Sequence, residues 1–289
     1  MPDLSALPLV FWILTAGLFG LVVGSFLNVV IYRLPVMMER QWQADAHATL
    51  HPETAATPAE RFDLVAPRSR CPSCGHQITW WENLPVLSYL LLRGRCSACS
   101  AAISLRYPLV ELVTALLSAA VVVRWGAGWD SMAYIALLWA LITLALIDFD
   151  TTLLPDSITL PLLWLGLLWH AGMHPEQLSS AVWGTVVGYL ALWTVYQVFK
   201  LLTGKEGMGF GDFKLLAALG AWFGVAALLP IILLSSVCGA IIGITLQLLK
   251  LTERGRPIPF GPFLAAAGIA LLFIGPHTLV ALVLPSSGA

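Results

Sequence analysis

Charge is what this sequence has least of. Asp, Glu, Lys and Arg make up 11% of 289 residues, against 58% hydrophobic side chains. So little polar content cannot clothe a soluble globule of this length. The net charge of −1, with no basic stripe interleaved with aromatics, gives no surface for nucleic acid, and none is expected as a partner. Residues 1–8 carry no Lys or Arg, and Arg33 follows the first apolar run instead of preceding it. That run lacks the charge order of a cleavable secretory signal and is expected to stay as a membrane span.

What the sequence does have is apolar runs long enough to cross a hydrocarbon core of about 30 Å. They lie near 9–31, 107–123, 131–147, 157–173, 178–202, 213–223, 226–249 and 263–284, the sixth being short. The expected fold is all-α, a polytopic membrane helix bundle of about eight spans, with membrane lipid as its surroundings. Eight spans put alternate loops on opposite sides, and every Lys and Arg except Arg124 then falls in or beside one set. Short basic loops stay cytoplasmic, which predicts both termini in the periplasm. Trp42, Trp80, Trp81 and Trp125 near the boundaries read as interfacial anchors. Gly184, Gly188 and Gly220 read as points of close helix approach.

Three segments follow: 1–32 with the first span, a loop over 33–106, and a bundle over 107–289. The loop is too long for a connector. Its Ala-rich part, 41–60, reads as either a helix or a mobile stretch. Cys71-Pro-Ser-Cys74 and Cys96-Ser-Ala-Cys99 form two C-x-x-C knuckles at zinc-ribbon spacing. Four thiolates complete a closed tetrahedron around zinc, leaving no open position, so the expected metal is structural. Two disulfides or a redox pair are the rival reading, disfavoured by a reducing cytoplasm. Cys238 reads as a small buried hydrophobe and His76 as a surface histidine. The chain shows no convincing internal repeat.

Asp148, Asp150 and Asp156 cluster where the third span meets the cytoplasm, and Asp212 closes Gly207-Met-Gly209-Phe-Gly211-Asp212 at the start of the sixth. Carboxylates beside a bilayer are retained mainly for pairing or function. Two that approach one another leave one protonated and one ionised, as an aspartic protease requires. Glycines such as Gly209 and Gly211 would let substrate and backbone come close. The plainer reading is that Asp156 and Asp212 stabilise helix N-termini.

Taken together, Gly24-Ser-Phe-Leu-Asn28, Arg33-Leu-Pro35, the four-Cys loop, Trp81-Glu-Asn-Leu-Pro85, Arg106-Tyr-Pro-Leu-Val-Glu111, the Asp148 segment, Gly204 to Lys214 and Pro259-Phe-Gly-Pro262 resemble the type IV prepilin peptidases, in that family's order. The resemblance implies a bacterial inner-membrane enzyme that cleaves a basic leader after a Gly, from prepilins or secretion pseudopilins. It then N-methylates the new N-terminus with S-adenosylmethionine. It places the catalytic pair on Asp148 and Asp212, with Asp150, Asp156, Gly209 and Gly211 supporting. It links methylation to Gly94-Arg95, where the family has Gly-Lys. No Gly-rich fingerprint after a strand locates the methyl donor. A transporter is the rival class, but it would place its acids deeper and show paired halves. A zinc-organised scaffold without chemistry would tolerate loss of Asp148 and Asp212.

Overall fold

A computed structural model of the chain describes residues 7–51, 61–249 and 258–275. Among these there is no β-strand, only two isolated antiparallel bridges. The helices are α1 (Leu9–Leu50), α2 (Leu87–Leu91), α3 (Arg106–Trp125), α4 (Trp129–Thr151), α5 (Asp156–Met173), α6 (Leu178–Thr203), α7 (Phe210–Phe223), α8 (Leu228–Leu248) and α9 (Gly261–Ile274). All but α2 fall on the eight apolar runs. Five, namely α1, α3, α4, α6 and α8, are long and apolar enough to cross a membrane. Helices α7 and α9 have 14 residues each, about 21 Å at 1.5 Å per residue, short of a hydrocarbon core of about 30 Å. Residues 276–284 of the eighth run, 52–60 of the Ala-rich stretch and the basic residues Lys250, Arg254 and Arg256 lie outside the described residues. The chain divides into two compact units after Ile135, within α4.

In the first unit α1 and α3 run antiparallel in close contact. A Cβ at Gly20 would lie 2.8 Å from Ala115 Cα, and one at Gly24 2.7 Å from Glu111 Cα, so only glycine lets the backbones approach this far. Nearer the loop, Asn28 Nδ2 donates to Tyr107 O at 3.1 Å and Gly24 O at 3.3 Å. The helix does not stop where its apolar run stops: α1 continues through Pro35 to Leu50, so the first half of the Ala-rich stretch is helical. Hydropathy marks where lipid would end, whereas helix length follows propensity and local bonds. One such bond is Thr49 Oγ1 donating to Asp45 O at 2.8 Å. Buried Arg33 turns back on the loop, donating to Asp63 O at 2.9 Å and Pro67 O at 2.7 Å.

The second unit is built around α7. From Asp212 to Trp222 every residue of α7 except Lys214 is buried, Phe213, Leu215, Leu216 and Leu219 fully. Helix α6 crosses it antiparallel: Gly184 and Gly220 face each other, and a Cβ at Gly188 would sit 2.8 Å from Leu216 O. Helix α5 runs parallel to α7, with Trp222 Nε1 donating to Leu162 O at 2.9 Å. Protein surrounds this short helix where lipid would otherwise have to. Glycines in positive-φ conformations end α6 at Gly204 and α7 at Gly224. Hydroxyls in the apolar interior bond back along their own helices, as in Thr143 to Trp139 O and Thr159 to Pro155 O.

Candidate active site and metal centre

The last turn of α4 places Asp148 inward, 4% exposed, while Phe149 and Asp150 face outward. Thr152 then takes a positive φ of 55°, a strained conformation for a threonine, and turns the chain toward Leu154 and Pro155. At the start of α7, Gly209 is the extended N-cap residue and Asp212 lies in the first turn, 7% exposed. The third contributor is the start of α9. The Gly261 N–H donates to Asp148 Oδ2 at 2.9 Å, and a Cβ on Gly261 would meet that oxygen at 2.7 Å.

Leu154 joins the three segments. A Cβ at Gly211 would lie 2.7 Å from Leu154 Cβ, and one at Gly261 3.2 Å from Leu154 Cδ1. Asp148, bonded to Gly261, and Asp212, next to Gly211, therefore flank Leu154 from either side. Of the two glycines before Asp212, Gly211 is required by this contact; a Cβ at Gly209 would meet Asp212 Oδ2 at 3.9 Å and Gly211 N at 4.0 Å, ordinary van der Waals distances.

Asp156 takes a different part. It is the first residue of α5 and makes no capping bond; Lys214 Nζ donates to both its oxygens at 2.7 Å. Asp156 thus stands in the first turn of α5, where a carboxylate favours the helix N-terminus, and its ion pair also links α5 to α7. Asp150 stays exposed at the rim. Gly261 and Leu154 are the contributors that residue chemistry alone did not single out. The signal was a glycine held between prolines in Pro259-Phe-Gly-Pro262.

In the loop the four thiols converge, all Sγ atoms lying within 4.8 Å of one another and Cys71 Sγ 3.8 Å from Cys99 Sγ. Zn–S bonds of about 2.3 Å in a tetrahedron put sulfurs about 3.8 Å apart, so the arrangement fits that ion. None of the cysteines is in a disulfide. The two knuckles repeat each other's backbone: Cys71 N–H donates to His76 O and Gly75 N–H to Cys71 O, just as Cys96 N–H donates to Ala101 O and Ser100 N–H to Cys96 O. Gly75 and Ser100 hold matching positive φ values of 73° and 59°. Segments 69–78 and 94–103 are thus a structural repeat, in which Arg70 and Arg95, the cysteines, and Ile78 and Ile103 coincide.

Glu82, from the Trp81-Glu-Asn-Leu-Pro85 motif, ties the knuckles together. Its carboxylate accepts from the Ser97 hydroxyl, from Thr79 N–H at 2.8 Å and Thr79 Oγ1 at 2.7 Å, and lies 3.3 Å from His76 Nε2. His76, a half-buried histidine, is thus held beside the knuckles by Glu82 and Ser97. These donors, Ser97 foremost, hold the Glu82 carboxyl at about 2, below the usual 4.5. Its stabilisation is complete above about pH 4.5 and disappears as pH falls through about 2. Glu82→Gln is expected to make the loop more open to hydrogen exchange at pH 7, with the difference from wild type shrinking below pH 4.5. A difference that grows on acidification would contradict this.

Gly94 and Arg95 lie at the second knuckle. Gly94 is buried with φ 66°, and a Cβ there would sit 2.7 Å from Tyr89 Oη, so the turn itself needs glycine. The Arg95 side chain is exposed on an open cavity shared with Leu92, Arg93 and Ser97.

Residues 18–125 match the Bacterial Peptidase A24 N-terminal domain, and residues 135–244 match the Type IV leader peptidase family. Curated relatives called prepilin leader peptidase/N-methyltransferase align over most of both chains. The one from Stutzerimonas stutzeri is 56% identical over 272 residues, 93% of each chain. Those from Pseudomonas putida and Aeromonas hydrophila are 57% and 56% identical, covering 91% and 89% of each chain respectively. No solved structure gives a significant match. With apolar helices able to cross a membrane, a four-Cys centre and matches spanning both units, the chain belongs to the type IV leader peptidase family.

Proposed function

We propose that the protein is an aspartic endopeptidase of the bacterial inner membrane that removes the basic leader of type IV prepilins and pseudopilins after a Gly, and then N-methylates the exposed N-terminus. The observation that carries the reading is the pair of buried carboxylates, Asp148 and Asp212, at the ends of two helices, each beside a glycine, Gly261 and Gly211, that packs on Leu154. Two such groups share one proton. The ionised member takes a proton from water, whose oxygen attacks the scissile carbonyl, while the protonated member donates to the carbonyl oxygen. Collapse of the tetrahedral species breaks the C–N bond, and the amine leaves with a proton. The Gly261 N–H fixes one oxygen of Asp148 and leaves the other for water. Asp156, paired with Lys214, holds α5 and α7 in register, and Asp150 flanks the pair at the rim.

The loop over 33–106 is cytoplasmic in this reading, from its basic residues. Its metal is a structural zinc on Cys71, Cys74, Cys96 and Cys99, which leaves no vacant coordination position for chemistry. The bundle over 107–289 carries the peptidase. S-adenosylmethionine supplies an electrophilic methyl group, and the amine freed by hydrolysis is the nucleophile, so cleavage precedes methylation. Arg95, exposed and cationic, is assigned to that second step with Gly94 shaping its turn.

Incubating purified protein with a synthetic prepilin, with and without S-adenosylmethionine, tests the reading by product mass. Loss of the leader in both samples, and a methyl increment only with the donor, is expected. Intact substrate in both would overturn it. Arg95→Ala is expected to give trimmed, largely unmethylated product with Arg95→Lys active; full methylation by Arg95→Ala would remove Arg95 from that step.

A further inference from the structure

The segment that separates the two knuckles wears its apolar groups on the outside. Leu87, Leu90 and Leu91 of α2 are 59%, 65% and 74% exposed, and Trp80, just before it, is 79% exposed. Positions i, i+3 and i+4 share one helix face, so the leucines form a single patch. On a loop surrounded by water this patch would have no purpose and would be an aggregation hazard.

Its attachment to α3 shows where it lies. The Val86 N–H, at the turn that opens α2, donates to Glu111 Oε2 at 2.8 Å. Val86 holds a φ of 59°, a conformation rare for a β-branched residue, and this bond helps keep it there. Glu111 is buried in α3, five residues beyond its first residue, Arg106, which is about 7.5 Å along the axis. Helix α3 is long and apolar enough to span a membrane. The start of α2 is therefore level with the second turn of a membrane span, not above it. Tyr89 Oη, donating to Ile103 O at 3.4 Å, ties the other side of α2 to the residues leading into α3. Exposed Tyr107, in the first turn of α3 and about 6 Å nearer its start than Glu111, is placed as an interfacial aromatic.

We propose that residues 80–92 form an interfacial anchor that seats the metal loop on the cytoplasmic leaflet. Leu87, Leu90 and Leu91 enter the acyl-chain boundary, Trp80 and Trp81 lie among the headgroups, and exposed Arg93 faces the lipid phosphates. The bilayer is chosen over a protein partner because the patch is continuous in height with the lipid-facing surface of α3, where Leu109 is 59% exposed. The anchor depends on α3 spanning the membrane and not on the peptidase chemistry.

Nitroxide labels attached through an unnatural amino acid at Leu87 or Leu90 of the full-length protein, in phosphatidylcholine–phosphatidylglycerol liposomes, test this. Collisions with oxygen and with a water-soluble nickel chelate are compared with those at Leu109, as a lipid-facing reference, and Thr49, as an aqueous one. Oxygen-dominated collisions at both positions, comparable with those at Leu109, are expected. Nickel access like that at Thr49 at either position would show a water-exposed loop. Protection from both reagents would show a protein partner, a second copy included. Either result overturns the proposal.

Discussion

Asp148→Asn and Asp212→Asn are each expected to lower leader cleavage by on the order of 10³-fold or more, at unchanged membrane insertion, because each removes one half of an acid–base pair. Asn is nearly isosteric and neutral, so packing around α7 survives while proton transfer does not. Asp150→Asn, at the exposed rim, should cost far less. Gly261→Ala offers a check that leaves both carboxylates in place. Its methyl group would be driven against Asp148 Oδ2, 2.7 Å from the position a Cβ would take. It is expected to lose most cleavage with little loss of folded protein. The measurement is the rate of prepilin trimming at matched expression in membranes. Near-normal trimming by either Asn variant would take that residue out of the reaction.

Cys→Ser at position 71, 74, 96 or 99 is expected to release the metal and loosen residues 68–106, since a structural zinc site supplies on the order of 10 kcal/mol of folding free energy at neutral pH. The loop has little else: Cys71 and Cys96 are its buried hydrophobes, and most of its other apolar side chains are exposed. Wild-type protein should hold about one zinc per chain and each variant much less, while Cys238→Ser keeps it. Metal analysis of freshly purified, reduced protein, with hydrogen exchange over the loop, reads both effects. A metal-free wild type with a protected loop would overturn the structural-zinc assignment.

The helical bundle was legible in the sequence because a lipid solvent imposes its requirement on composition. Each run had to be apolar over its own length, whatever its neighbours. The limits of the runs were less legible where solvent and structure part company. Helix α1 outlasts its apolar run and reaches Leu50, and α7 is too short to span a membrane yet is buried by α5, α6 and α9. The glycine contacts of Gly184, Gly188 and Gly220 were foreseeable in kind, but which backbone each would meet was not.

The four cysteines, too, declared themselves by spacing, since each knuckle is a local turn that brings two sulfurs together without help from the rest of the chain. Four aspartates near one face of the membrane were equally visible. What the sequence by itself determined is therefore what local chemistry and the surrounding solvent require: the apolar helices, the cysteine knuckles and a short roster of acids. The tertiary structure alone decided how those acids divide. Asp148 takes its partner from Gly261 at the start of α9, Asp156 is claimed by Lys214 of α7, and Glu82 gathers donors from both knuckles. A carboxylate's role depends on what lies within about 3 Å of its oxygens. Here those neighbours come from residues as much as 113 positions away in the chain.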